Sequence, residues 1–208
     1  MSGFTSTQLW PYETGAATGW GIQPKSGPMP TIAVVDSGIQ AGRADFGNRV
    51  LANVNLTSLP NNSPGDGRGH GTFVAGIAAG DADGYAGSTP LANLVAIDVM
   101  DDSGVARTSD VIAACQWILA NKSTYNIRIA NFSLHSATKG NFVTDPLDKA
   151  VEKLWFNGVV VVAAAGNYGT AGAPSGVPYA PGNDPFVITV GAIDIGDASF
   201  DAVSWSSV

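Results

Sequence analysis

Residues 69–80 read Gly-His-Gly-Thr-Phe-Val-Ala-Gly-Ile-Ala-Ala-Gly. From His70 to Ala79 the run is small and apolar, and it is too long for an ordinary strand. It predicts a buried helix whose glycines, Gly71 and Gly76, let neighbouring backbone approach closely. Just ahead, 61–69 is a turn-rich loop holding Pro64-Gly65 and Asp66-Gly67. Further upstream, Val50–Leu56 is a strand candidate, and Thr31–Val35 is a β-branched run that stops at Asp36-Ser37-Gly38. Downstream, Asn93–Val99, Ile127–Ser133, Val159–Ala164 and Phe186–Ala192 are further strands. Two helices fall between them. Ser109 is placed to cap the first, with Val111, Ile112, Cys115, Ile118 and Leu119 at spacings of three and four. Thr144-Asp145-Pro146 opens the second, Leu147, Val151, Leu154 and Trp155 share one face of it, and Asn157-Gly158 stops it.

Strands therefore alternate with helices, and the strands are close to continuously apolar, with Val159–Ala164 expected to be buried on both sides. That pattern predicts an α/β fold of three layers, a parallel β-sheet with helices on both faces. The first thirty residues, rich in Gly, Pro, Thr and Ser, read as an irregular N-terminal arm, and 31–208 as one domain.

Composition narrows the function classes. With 45% hydrophobic residues the chain can build a core, so global disorder is excluded. Ten basic against 17 acidic residues give a net charge of −7, which argues against a nucleic-acid partner that would need a basic face. The longest strictly apolar run, Val159 to Ala165, is too short for a membrane span. The single cysteine, Cys115, excludes an internal disulfide and a cysteine metal site, and its place in a helical pattern reads as a buried small hydrophobe. Residues 1–24 hold no Lys or Arg and do not read as a signal peptide.

In open α/β sheets reactive residues collect at the carboxyl ends of the strands. Asp36 ends the first strand, His70 opens a helix after a glycine-rich loop, and Asn167 follows Ala163-Ala164-Ala165-Gly166. Each alone has a structural explanation: a strand-to-turn junction, a helix start and a turn. Their joint occurrence in this order, with glycines on both sides of the histidine, points to a site.

The blocks Val34-Val35-Asp36-Ser37-Gly38-Ile39, 69–80, Asn131-Phe132-Ser133-Leu134 and Ala163-Ala164-Ala165-Gly166-Asn167 resemble those of subtilisin-like serine peptidases, across residues 31–193. The resemblance implies a serine endopeptidase with an Asp-His-Ser triad and an acyl-enzyme. In it His70 is the general base, Asp36 holds its tautomer, and Asn167 donates to the oxyanion. Ser133 and Leu134 on one side, and Ser103 and Gly104 on the other, would flank an extended polypeptide substrate added as a strand. Ala164 and Gly166 would line the primary specificity pocket, their small size leaving room for a sizeable side chain. The family implies no cofactor for the chemistry, a structural calcium ion with Asp45 as a ligand, and secretion or a place in the cell envelope. In the Gly80–Gly87 loop, Asp81 and Asp83 read as a solvated turn, with calcium binding the other reading. The arm, with Leu9-Trp10-Pro11, resembles the start of a mature enzyme after removal of a propeptide, which implies a propeptide inhibitor as a partner.

Two departures stand out. The family's Gly-Thr-Ser nucleophile block is absent, since the Gly-Thr pairs, in Gly71-Thr72-Phe73 and Gly169-Thr170-Ala171, supply no serine. The expectation is a catalytic domain truncated before its serine, incomplete at the C-terminus, inactive alone and missing a helix that would cover one sheet face. The alternative is a non-catalytic peptide-binding or regulatory fragment. An aspartic protease built on Asp36-Ser37-Gly38 is excluded, because it needs two such motifs in an all-β fold. Second, His135 stands where the family has Gly after Ser-Leu, so a side chain there narrows a subsite or alters pairing with the peptide.

Overall fold

A computed structural model describes residues 3–22, 28–169, 175–195 and 201–207; Thr170, Ala171 and Val208 lie outside the described residues. Six strands form one sheet: β1 (Thr31–Asp36), β2 (Val50–Asn55), β3 (Asn93–Asp98), β4 (Ile127–Phe132), β5 (Val160–Ala164) and β6 (Ile188–Val190). Their order is β2-β3-β1-β4-β5-β6, and every pair is parallel. The helices are α1 (Trp10–Glu13), α2 (His70–Ala79), α3 (Thr108–Asn121) and α4 (Pro146–Phe156).

The alternation of β1 explains the layers, since successive strand residues face opposite sides. Ala33 and Val35 join Val111, Cys115, Ile118, Val151 and Leu154 of α3 and α4 in one buried cluster. Ile32 and Val34 join Ala75 and Ala79 of α2, with Phe46 and Leu94, in the other. The sheet is thus sandwiched, as the alternating pattern predicts. Leu154, Ile118 and Phe46 are fully buried, each contributing about 1.5–3 kcal/mol of hydrophobic stabilisation.

Three local expectations need correction. Ser109 does not cap α3: the helix starts at Thr108, two residues earlier than such a cap would set it, Arg107 precedes it, and no side chain caps it. Ser109 Oγ instead bonds Asp110, whose carboxylate accepts from Ser58 N and Oγ across the fold at 2.8 and 2.9 Å. β5 is not buried on both sides. Val161 and Ala163 face the α3–α4 core, while Val160 is 37% exposed on the other face. The outward residues Ile188 and Val190 of β6, paired with Val162 and Ala164, continue that bare strip beyond α2. The arm is not wholly irregular: α1 is followed by a 3-10 helix, Ala16–Gly21. It docks through buried Trp20, whose Nε1 donates to Gly87 O at 2.7 Å.

Candidate active site

The parallel register brings the carboxyl ends of β1, β3, β4 and β5 to one rim. Asp36 is the last residue of β1 and is fully buried. The chain then turns sharply at Gly38, whose φ of 95° favours glycine. α2 enters against this turn. A Cβ on Gly71 would stand 2.1 Å from Gly38 O and 3.1 Å from Asp36 Cβ, so only glycine lets the helix start so close to the strand end.

That approach places His70 Nδ1 2.7 Å from Asp36 Oδ1. Oδ1 also accepts from Ser37 N at 2.8 Å, while buried Oδ2 has no hydrogen-bond partner among the described residues. A carboxylate only accepts, so Nδ1 carries the hydrogen and Nε2 is left as the basic nitrogen of the neutral ring. The hydrogen bond to Asp36 raises the His70 pKa above its ordinary 6.5, against the opposing effect of burial. A base held this way is suited to take a proton from a hydroxyl and return it.

Asp66, read from sequence only as part of a turn, organises the junction. It is buried and accepts from Ser37 Oγ at 2.8 Å, Gly69 N at 2.7 Å and Thr72 N at 2.8 Å. Gly71 N in turn donates to Ser37 Oγ at 3.0 Å. The signal was a carboxylate four residues before the histidine, where it can accept from the free N–H groups at a helix start.

A cleft of about 430 Å³ opens on the same rim. His70, Gly104, Ser133, Leu134, Ala164, Gly166 and Asn167 all line it, so the structure brings most of the expected residues to one place. Ser103 is not among the lining residues. It sits in the turn between Asp101 and Val105, and its carbonyl accepts from Arg68 Nη1, which itself lines the cleft. Among the described residues the His70 ring makes one hydrogen bond, the one to Asp36.

Asp45, the expected calcium ligand, pairs with Arg43. Its carboxylate accepts from Arg43 Nε and Nη2 at 3.1 and 3.0 Å. Among the described residues no group of three or more His, Cys, Asp or Glu side chains is placed to hold a metal ion, Asp81 and Asp83 included. Cys115 is 1% exposed, and burial pushes its thiol up to about 12, so it is no nucleophile at neutral pH. No helix among the described residues is long and apolar enough to cross a membrane.

Comparison with known proteins agrees with this geometry. The model of the subtilase family, Peptidase S8, matches residues 27–208. Thermitase of Thermoactinomyces vulgaris is 33% identical, the match covering 99% of this chain and 69% of thermitase. Subtilisin NAT of Bacillus subtilis subsp. natto is 35% identical over 89% of this chain and 46% of its own sequence. The chain thus spans about half the length of the subtilisins it matches, 46% of one and 43% of another. The solved structure of Sphericase superposes with a TM-score of 0.77 at 29% identity, covering 97% of this chain and 67% of that one. Helices over both faces of a parallel sheet, an aspartate–histidine pair at its rim and these matches lead to one conclusion: the chain belongs to the subtilase family of serine peptidases.

Proposed function

We propose that this chain is the part of a serine endopeptidase catalytic domain that carries the base, its orienting carboxylate and the oxyanion donor, and that the nucleophilic serine comes from residues outside these 208. His70 Nε2 takes the proton as the serine oxygen attacks the peptide carbonyl. The tetrahedral oxyanion accepts a hydrogen bond from the Asn167 side-chain amide, formed as charge develops. Collapse breaks the C–N bond, His70 protonates the leaving amine, and an acyl-enzyme remains. Water then attacks with His70 as base again, releasing the acid and regenerating the hydroxyl. Asp36 holds the ring by its hydrogen bond to Nδ1 and steadies the imidazolium.

The substrate is an extended polypeptide lying between the Ser133–Leu134 backbone and the Ser103–Gly104 turn. The serine is external in this reading because the chain holds no Gly-Thr-Ser block. The exposed outward side chains of β5 and β6 support the same point, since a covering helix would bury them. From the family come secretion or envelope location and inhibition by a propeptide.

The single observation that carries the reading is the 2.7 Å bond between buried Asp36 and His70. A module that only binds peptides has no need of a buried carboxylate aimed at an imidazole. The test compares casein hydrolysis by the complete encoded protein with its His70→Ala and Asn167→Leu variants. Loss of Asn167 is expected to lower kcat by about 10²–10³-fold, the size measured for the equivalent donor of a subtilisin. Hydrolysis that survives His70→Ala unchanged would refute the proposal.

A further inference from the structure

The cleft beside Ala164 and Gly166 is not open-walled. His135 follows β4, Tyr168 follows β5, and Tyr179 precedes Pro181, yet their three rings meet. Tyr168 and Tyr179 lie 4.3 Å apart between centroids, tilted by 32°. His135 stands edge-on to Tyr168 at 4.9 Å and meets Tyr179 at 5.6 Å. His135 and Tyr168 line the cleft, with Tyr179 stacked against both. Tyr168 Cδ2 comes within 3.5 Å of the point where a Cβ of Gly166 would stand.

The backbone under these rings is clamped. Ser136 N donates to Ala180 O at 2.7 Å, and Gly140 N to Pro178 O at 3.0 Å. Tyr168 N donates to Ser207 Oγ at 3.1 Å. His135 Nδ1 lies 2.9 Å from Ser136 O, and a carbonyl only accepts, so that nitrogen carries the hydrogen and the ring is held. The ring surfaces are also engaged with one another, Tyr168 against Tyr179 and the edge of His135 against Tyr168. A large substrate ring would therefore have to displace a packed cluster rather than stack on a free face.

We propose that His135, Tyr168 and Tyr179 act as a stopper in the pocket for the side chain next to the scissile carbonyl, so that the enzyme accepts small residues such as Ala and Ser and rejects large aromatic ones. This rests on the peptidase reading above. It reverses the expectation that small Ala164 and Gly166 leave a roomy pocket: the room they leave is taken by rings from elsewhere in the chain.

The test uses the complete encoded protein and peptide p-nitroanilides that differ only in the residue before the anilide: Ala, Leu or Phe. The wild-type kcat/KM for Ala is expected to exceed that for Phe by tenfold or more. His135→Gly and Tyr179→Gly should each raise the Phe/Ala ratio at least tenfold, while Tyr179→Phe keeps it. If Tyr179→Gly does not fold, His135→Gly with the Tyr179→Phe control decides alone. Wild-type hydrolysis of Phe as fast as Ala, or an unchanged ratio in folded variants, overturns the stopper and leaves the peptidase reading standing. No hydrolysis of any anilide by folded protein overturns both.

Discussion

Replacing Gly71 by alanine is a sharp test of how this rim is built, because two effects of opposite sign compete. Alanine in a helix is favoured over glycine by about 0.8–1 kcal/mol. The new Cβ, however, would stand 2.1 Å from Gly38 O, where real Cβ contacts essentially never fall under 3.0 Å. The helix start or the 36–38 turn must therefore retreat by about 0.9 Å, and both are packed backbone. Overpacking of this kind costs about 1–3 kcal/mol, enough to outweigh the propensity gain. Gly76 in the same helix is the control, because a Cβ there meets nothing within 4 Å. In chemical denaturation of the complete protein, Gly71→Ala should be less stable than Gly76→Ala by about 2 kcal/mol. Because the retreat separates His70 from Asp36, kcat/KM should also fall, by about 100-fold for a misplacement near 1 Å. A Gly71→Ala variant as stable and as active as Gly76→Ala would refute the claim that close approach at Gly71 builds the pair.

The Asp36 hydrogen bond raises the His70 pKa, so the acid limb of the kcat/KM profile should lie above pH 6.5. Asp36→Asn should move that limb down and cost about 10⁴-fold in rate; a limb that does not move would separate the two residues. The same raised pKa adds stability that is complete below 6.5 and lost as pH rises through the folded-state value. Asp148 acts in the same sense at lower pH: it is fully buried, neither carboxylate oxygen has a partner among the described residues, and burial raises it to about 7. Stability should therefore fall as pH climbs from 3.8 to 7, and Asp148→Asn should recover about 2–4 kcal/mol at pH 8 in urea titrations. Equal midpoints for the two proteins at pH 8 would contradict this.

What could be read from the chain follows from which signals are local. The helix His70–Ala79 has the bounds its small apolar run predicts. α4 starts at Pro146, with Asp145 accepting from Leu147 N at 2.8 Å, and stops at Asn157-Gly158, because capping and a φ of 78° at Gly158 are properties of neighbouring residues. Asp36, His70 and Asn167 were legible as strand-end and helix-start residues. What sequence missed is long-range. Ser109 lost its cap because Asp110 is drawn to Ser58, 52 residues away. The exposure of Val160 depends on which helices cover the sheet, and the hydrophobic run that contains it does not encode that. Asp66 looked like a turn residue until α2 folded over it, and His135 acquired meaning only when two tyrosines from other segments met it.

The central claim is that Asp36 and His70 prepare a hydroxyl supplied from beyond Val208. The most direct measurement is fluorophosphonate labelling of the complete encoded protein and its His70→Ala variant, followed by mass mapping of the modified residue. The account predicts one stoichiometric label, on a serine C-terminal to Val208, and its loss in the variant. A label on any serine within residues 1–208, or labelling unaffected by removal of His70, would contradict it.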